Sequence, residues 1–199
     1  MGLNEKLRLL QEHDGDIQKY SSIVDILKSP ELQHLADEGK ITVAMVRPHA
    51  SDSKLGGTDV DATAKIIQEI KSRQQILFGF SCVFTKEMCL DFYQGSPVEN
   101  QSRIPPIRTS NAKNRWEEFM DLLTSAPSTV LILYSPNGDA VKRWRDQIGV
   151  RYNSESDPTK TIRGKFGLPD NHNNLVHGSD STKAVKREIN FFLHYGGIS

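Results

Sequence analysis

Neither charge sign dominates this chain, cysteine is scarce, and no apolar run approaches membrane-spanning length. Each absence excludes something. Lys+Arg and Asp+Glu are equal at 25 each, so no global basic field points to nucleic acid as the main ligand. An anionic small molecule would need local basic side chains instead. The cysteines are Cys82 and Cys89 alone. Their spacing is not that of a metal-binding pair, and they read as reduced core thiols of an intracellular protein. The missing long apolar run argues against a membrane span, and the opening Met1-Gly2-Leu3-Asn4-Glu5-Lys6 lacks a signal-peptide core. Lys6 also stands where a myristoylation pattern expects Ser or Thr. The expectation is a cytoplasmic protein. No internal repeat or low-complexity tract is evident. The strands lack the exposed aromatic pattern that stacks RNA bases. With 199 residues, the chain can bury a sizeable core as one domain with an extension or insertions.

What is present is an alternation of helical and strand patterns. Residues 1–38 predict an amphipathic helical extension. Leu3, Leu7 and Leu10 have helical spacing, Asp14-Gly15 interrupts, Ile17, Tyr20, Val24 and Leu27 resume, and Ser29-Pro30 starts a third piece with Leu32 and Leu35. The body of the protein is expected over 39–199. Ile41 to Val46 reads as a buried strand ending at Arg47-Pro48. Val60, Ala64, Ile67 and Ile70 predict a helix that Thr58 or Asp59 can cap. Ile76 to Phe84 predicts a strand, and Thr85 opens a helix carrying Met88, Cys89, Phe92 and Tyr93. A long loop is expected at about 94–115, rich in Pro, Ser and Arg, and loops of that length are functional or disordered more often than short ones. Beyond it, Trp116, Phe119, Met120 and Leu123 form a helix face, Thr129 to Tyr134 a strand, Pro136-Asn137-Gly138 a turn, and Val141, Trp144 and Ile148 a further helix. A short last strand is expected over Asn174 to Val176.

The segment Asn174-Leu175-Val176-His177-Gly178-Ser179-Asp180-Ser181 carries the chemistry. A short apolar run ends in a histidine, small polar residues that can cap a helix follow, and the helical pattern Val185, Ile189, Phe192 comes next with Glu188 inside it. A carboxylate on one imidazole nitrogen orients the ring and raises the nucleophilicity of the other. A helix N-terminus beside it favours an anion. Taken alone, such a histidine is more often a packing residue than a reagent.

This segment resembles the active-site signature of nucleoside diphosphate kinases. Further matches follow in chain order: strand-Arg47-Pro48, where the family has Lys-Pro-Asp; Glu87 to Tyr93; Arg145 ahead of Ile148-Gly149; and Thr161-Ile162-Arg163-Gly164. The resemblance covers about residues 40–193, apart from the long loop. It implies a ferredoxin-like βαββαβ sandwich: a four-stranded antiparallel sheet with surrounding helices, here preceded by the helical extension. It also implies a phosphotransferase that moves the terminal phosphate of a nucleoside triphosphate onto a nucleoside diphosphate through phosphohistidine, by ping-pong kinetics. In that reading His177 is the nucleophile, and Glu188 with Ser179 holds its ring. Arg47, Arg145 and Arg163 clamp phosphate, Asn174 and Tyr93 contact the nucleotide, and Trp116 is the nearest candidate for base stacking. Tyr93 and Trp116 read equally as packing residues. Magnesium would arrive with the nucleotide, with no metal ligands from the protein, and a homo-oligomer, hexamer or tetramer, is implied. Arg47 for Lys and Tyr152 for a phosphate-contacting threonine depart from the family pattern. With the long loop and the extension, they leave open a catalytically weak or inactive binding or assembly protein on the same fold. The kinase reading expects the His177 imidazole to be open to solvent in a pocket ringed by the three guanidinium groups.

Overall fold

The computed structural model describes residues 20–51, 62–93, 115–150, 155–167 and 175–195. Its elements are α1 (Tyr20–Leu27), α2 (Pro30–Asp37), β1 (Ile41–Val46), a 3-10 turn (Pro48–Ser51), α3 (Ala62–Arg73), β2 (Gln75–Cys82), α4 (Lys86–Phe92), α5 (Arg115–Leu123), β3 (Ser128–Tyr134), α6 (Ala140–Ile148), α7 (Ile162–Phe166), β4 (Val176–Gly178) and α8 (Thr182–His194). Local chemistry sets several starts. Ser29, Thr85, Thr161 and Ser181 each accept a hydrogen bond from a backbone N–H in the first turn of the helix that follows, satisfying a donor the helix itself leaves unpaired.

The strands form one sheet in the order β2-β3-β1-β4. Every pairing is antiparallel: Ile41 opposite Tyr134 through Val46 opposite Thr129, and Ala44, Met45 and Val46 opposite Gly178, His177 and Val176. β2 pairs with β3 across an irregularity between Ile76 and Phe78. This is the split βαβ arrangement of a ferredoxin-like sandwich. All six residues of β1 are buried, which is why that strand reads as a continuous apolar run and not as an alternating one.

The two faces carry separate cores. Ile41, Val43 and Met45 join α1, α2, α4, α5 and α8 in one; Ala44 and Val46 join α3, α6, α7 and Leu175-Val176 in the other. Helices therefore lie on both faces. The described part of the extension belongs to the first core through Ile23, Ile26, Leu27, Leu32 and Ala36. Cys82 and Cys89 are free and buried, and burial pushes both thiols up to about 12. Among the described residues no helix is long and apolar enough to cross a membrane.

Three expectations are corrected. The last strand lies at Val176–Gly178 instead of 174–176, because β1 pairs with His177 and Gly178 directly. The buried stripe of α3 is Ala62, Ile66 and Ile70, while Ala64 is exposed, so the helix is rotated relative to the expected stripe. Arg115 opens α5 instead of ending a loop. The rest of the long loop, the 58–59 cap, the helical pattern before residue 20, Tyr152 and Asn174 fall outside the described residues.

Candidate active site

His177 sits mid-strand in β4, so its backbone is registered against Met45. Two ladder bonds bracket it: Arg47 N–H donates to Leu175 O at 2.9 Å and Ser179 N–H to Val43 O at 3.1 Å. Side chains alternate across a strand. Val176 therefore faces the α3–α6 core, while the His177 ring faces Phe92 and Tyr93, with centroids 5.1 and 6.0 Å away and both edge-on. The chain then turns at Asp180, Ser181 caps α8 by accepting from Ala184 N–H at 3.1 Å, and the helix returns across the sheet. Helical spacing buries Val185, Glu188, Ile189 and Phe192 together.

Glu188 reaches His177 in this way. Its Oε1 lies 3.0 Å from His177 Nε2, and its Oε2 accepts from Ser179 Oγ–H at 2.6 Å. The Glu188 side chain is 1 % exposed, against 15 % for His177. A buried carboxylate is costly unless donors surround it, and here both oxygens are engaged. Arg187 Nη2 adds a contact to Oε1 at 3.5 Å. An ionised carboxylate only accepts, so Nε2 carries the ring proton and Nδ1 carries the lone pair. Among the described residues Nδ1 has no hydrogen-bond partner.

The arginines are arranged differently. Arg47, 8 % exposed, follows β1 directly. Its Nη2 donates to the Tyr93 hydroxyl at 3.2 Å, and its guanidinium lies 4.8 Å from the Phe119 ring centroid, a cation–π contact. Burial raises the Tyr93 phenol, with the Arg47 charge opposing, so the hydroxyl is neutral at physiological pH. Arg163, in α7, is buried. Its Nη1 donates to Gly149 O at 3.0 Å and Val150 O at 2.7 Å, and its Nη2 to Val176 O at 3.4 Å. It ties the strand of His177 to the turn after α6. That turn needs Gly149, whose φ is +89° and where a Cβ would meet Ser156 Oγ and Thr161 Oγ1 at 2.8 Å. Arg145, half-buried in α6, lines a recess of about 500 Å³ with Gly149, Val150 and the acidic Asp146, Glu155 and Asp157. Hydrogen bonds from Thr159 hold the Asp157 carboxyl down at about 2.

The structure thus brings together His177, Glu188 and Ser179, with Tyr93 and Arg47 on one side and Arg163 behind the strand. His177 is not among the described residues that line the recess of Arg145. The expected ring of three guanidinium groups around an open imidazole is therefore corrected. The imidazole is only partly exposed, and the Nη atoms of two of the guanidinium groups already donate to protein atoms. Of Trp116, only its place near the start of α5 is described. Sequence reasoning missed Phe92 and Phe119 as walls of the site; their positions on apolar helix faces gave only a packing signal. Among the described residues no group of three or more His, Cys, Asp or Glu side chains could hold a metal ion.

The profile of the nucleoside diphosphate kinase family matches residues 40–197. The chain belongs to the nucleoside diphosphate kinase family. It is 30 % identical over 153 residues to the nucleoside diphosphate kinase of Histophilus somni, covering 76 % of this chain and 91 % of that one. It is 26 % identical over 174 residues to nucleoside diphosphate kinase 6 of Homo sapiens, covering 86 % of this chain and 78 % of that protein. A match to nucleoside diphosphate kinase 6 of Danio rerio is 35 % identical but spans 80 residues, 39 % of this chain and 44 % of that protein. Likewise the chain spans only 21 % of thioredoxin domain-containing protein 6 of Xenopus laevis, at 28 % identity. Among solved structures, the fold is shared with the nucleoside diphosphate kinases of Encephalitozoon cuniculi (TM-score 0.57, 21 % identity, 77 % of this chain and 88 % of that one) and Aquifex aeolicus (TM-score 0.56, 24 % identity, 77 % and 94 %). Helices α1 and α2 precede the part of the chain that matches the family.

Proposed function

We propose that this family member is an active nucleoside diphosphate kinase that passes the terminal phosphate of a nucleoside triphosphate to a nucleoside diphosphate through a phosphate carried on His177. The observation that carries the reading is the His177–Glu188–Ser179 chain. A buried carboxylate engaged at both oxygens holds Nε2 of a partly exposed ring and leaves Nδ1 as the nitrogen that attacks. Nδ1 attacks the terminal phosphorus in line, the bond to the bridging oxygen breaks, and the nucleoside diphosphate leaves with that electron pair. The acceptor's terminal oxygen then takes the phosphoryl group back from nitrogen. Glu188 offsets the positive charge the ring gains, and Ser179 keeps the carboxylate in place. Arg47 and Tyr93 bear on the phosphates from the β1 end and Arg145 from its recess, Asn174 is a further nucleotide contact, and Trp116 meets the base. Magnesium would arrive bound to the nucleotide's phosphates, where it would offset their charge. In this reading residues 39–199 are the kinase domain and 1–38 its extension, and the protein works as a cytoplasmic homo-oligomer.

Initial rates at several fixed donor concentrations test this. Parallel double-reciprocal lines are expected; intersecting lines would exclude the phosphoenzyme route. One observation favours a second reading, a nucleotide-binding or assembly protein with weak catalysis: the Arg47 and Arg163 guanidinium groups are already engaged inside the protein. Nucleotide binding by calorimetry without turnover would support that alternative.

A further inference from the structure

We infer that Trp144 is a positioning residue for the reactive histidine, locking the backbone of His177 to the helix that carries Arg145. Trp144 is fully buried in α6, and its indole Nε1–H donates to the carbonyl oxygen of His177 at 3.1 Å. The next residue shows how close the two elements are. A Cβ built on Gly178 would lie 2.2 Å from Trp144 Nε1 and 2.4 Å from its Cδ1, distances no side chain tolerates. Gly178 leaves the space that the indole fills, and the indole fills it with its single donor aimed at the nucleophile's own carbonyl.

The contact matters because β4 is held weakly by its own ladder. Among the described residues it is a three-residue edge strand paired only with β1, and short edge strands fray. Val176 is fixed by Arg163 and Ser179 by Val43; between them the peptide of His177 is fixed from the α6 face by Trp144. A shift of that peptide swings the imidazole about its Cα and changes the Nε2–Glu188 distance. Because Arg145 adjoins Trp144 in the same helix, the indole also sets the spacing between the histidine and the recess that Arg145 lines. A displacement of a fraction of an ångström at a reacting group is enough to slow a transfer.

This inference rests on the kinase reading for its rate measurement but not for its spectroscopic one. Trp144→Phe keeps an aromatic ring, a smaller one, and removes the donor. In single-turnover phosphorylation by ATP, the rate constant should fall about tenfold, the effect of losing roughly one hydrogen bond, while KM for ATP changes less than twofold. The imidazole NMR signals of His177, recorded without nucleotide, should change from one tautomer to an exchange-broadened set. The Trp144→Ala, Gly178→Ala double variant relieves the clash that Gly178→Ala creates alone; it should fold where that single variant does not, and still show the slow transfer. Unchanged ring signals and an unchanged rate in Trp144→Phe would overturn the proposal. An unmodified protein that takes up no phosphate, yet whose ring signals broaden in Trp144→Phe, would overturn the kinase reading and uphold the positioning role.

Discussion

The histidine side and the arginine side of the site are built in opposite ways. On the histidine side, His177, Glu188 and Ser179 form a connected chain in which both oxygens of one buried carboxylate are engaged and, among the described residues, the ring's Nδ1 has no hydrogen-bond partner. On the arginine side, the charges are spread: Arg47 leans on Tyr93 and Phe119, Arg163 staples three carbonyls, and Arg145 lines a recess edged with carboxylates. The difference teaches that a nucleophile must be organised before its substrate arrives, since a misoriented ring does no chemistry. Phosphate-binding cations can be held partly by the protein and exchange those contacts for phosphate oxygens on binding, at a cost to ground-state affinity.

Mutations can break or sharpen that contrast. The largest expected effect short of removing the nucleophile comes from Glu188→Gln. An amide presents a donor to Ser179 or to Nε2 and frees the ring, so kcat should fall about ten- to a hundredfold, the usual effect of removing a histidine's orienting partner, with KM for the nucleotide nearly unchanged. Full activity in that variant would mean that the connected chain is only structural.

Arg163→Ala tests whether the arginine side is also scaffold. It strips the donors from the carbonyls of Gly149, Val150 and Val176. Val150 is exposed and its carbonyl keeps the Ser156 hydroxyl as a donor, so the cost falls chiefly on the Val176 and Gly149 carbonyls, at about 1–3 kcal/mol for each acceptor left unpaired; a net loss of roughly 3 kcal/mol would lower Tm by about 6–12 °C in a chain of this size. A loss of activity with Tm unchanged would instead give Arg163 the purely phosphate-binding role that the family resemblance implied.

Arg47→Lys should have the smallest effect. Lysine keeps the charge and restores the family residue but loses the planar contact with Phe119, so turnover is expected within about threefold of the parent or above it, by steady-state assay. A large loss would show that the fork geometry at Tyr93 is required.

Much of this was legible in the sequence, for reasons that differ by residue. The caps at Ser29, Thr85 and Ser181 are local side-chain chemistry and can be read off spacing. The buried character of Ile41 to Val46 follows from an uninterrupted apolar run. The approach of Glu188 to His177 follows from helical period once Ser181 starts the helix. What did not show was any property set by distant packing. The direction of the Arg163 guanidinium depends on carbonyls of two separate segments, and the partner of Trp144 lies on a strand that follows it by some thirty residues of chain. The last strand lies at 176–178, two residues later than its composition predicts, because its register is decided by β1. The buried face of α3 is decided by the core that Ala62, Ile66 and Ile70 join and not by the spacing of its apolar residues alone.

The most direct test of the central claim is covalent. Incubate the purified protein with γ-labelled ATP and magnesium, denature it, and follow the label through acid and base. The account predicts a protein-bound label that is acid-labile and base-stable, is discharged by added nucleoside diphosphate, and is absent from His177→Ala. Label that survives in His177→Ala, or no label on the unmodified protein, would contradict it.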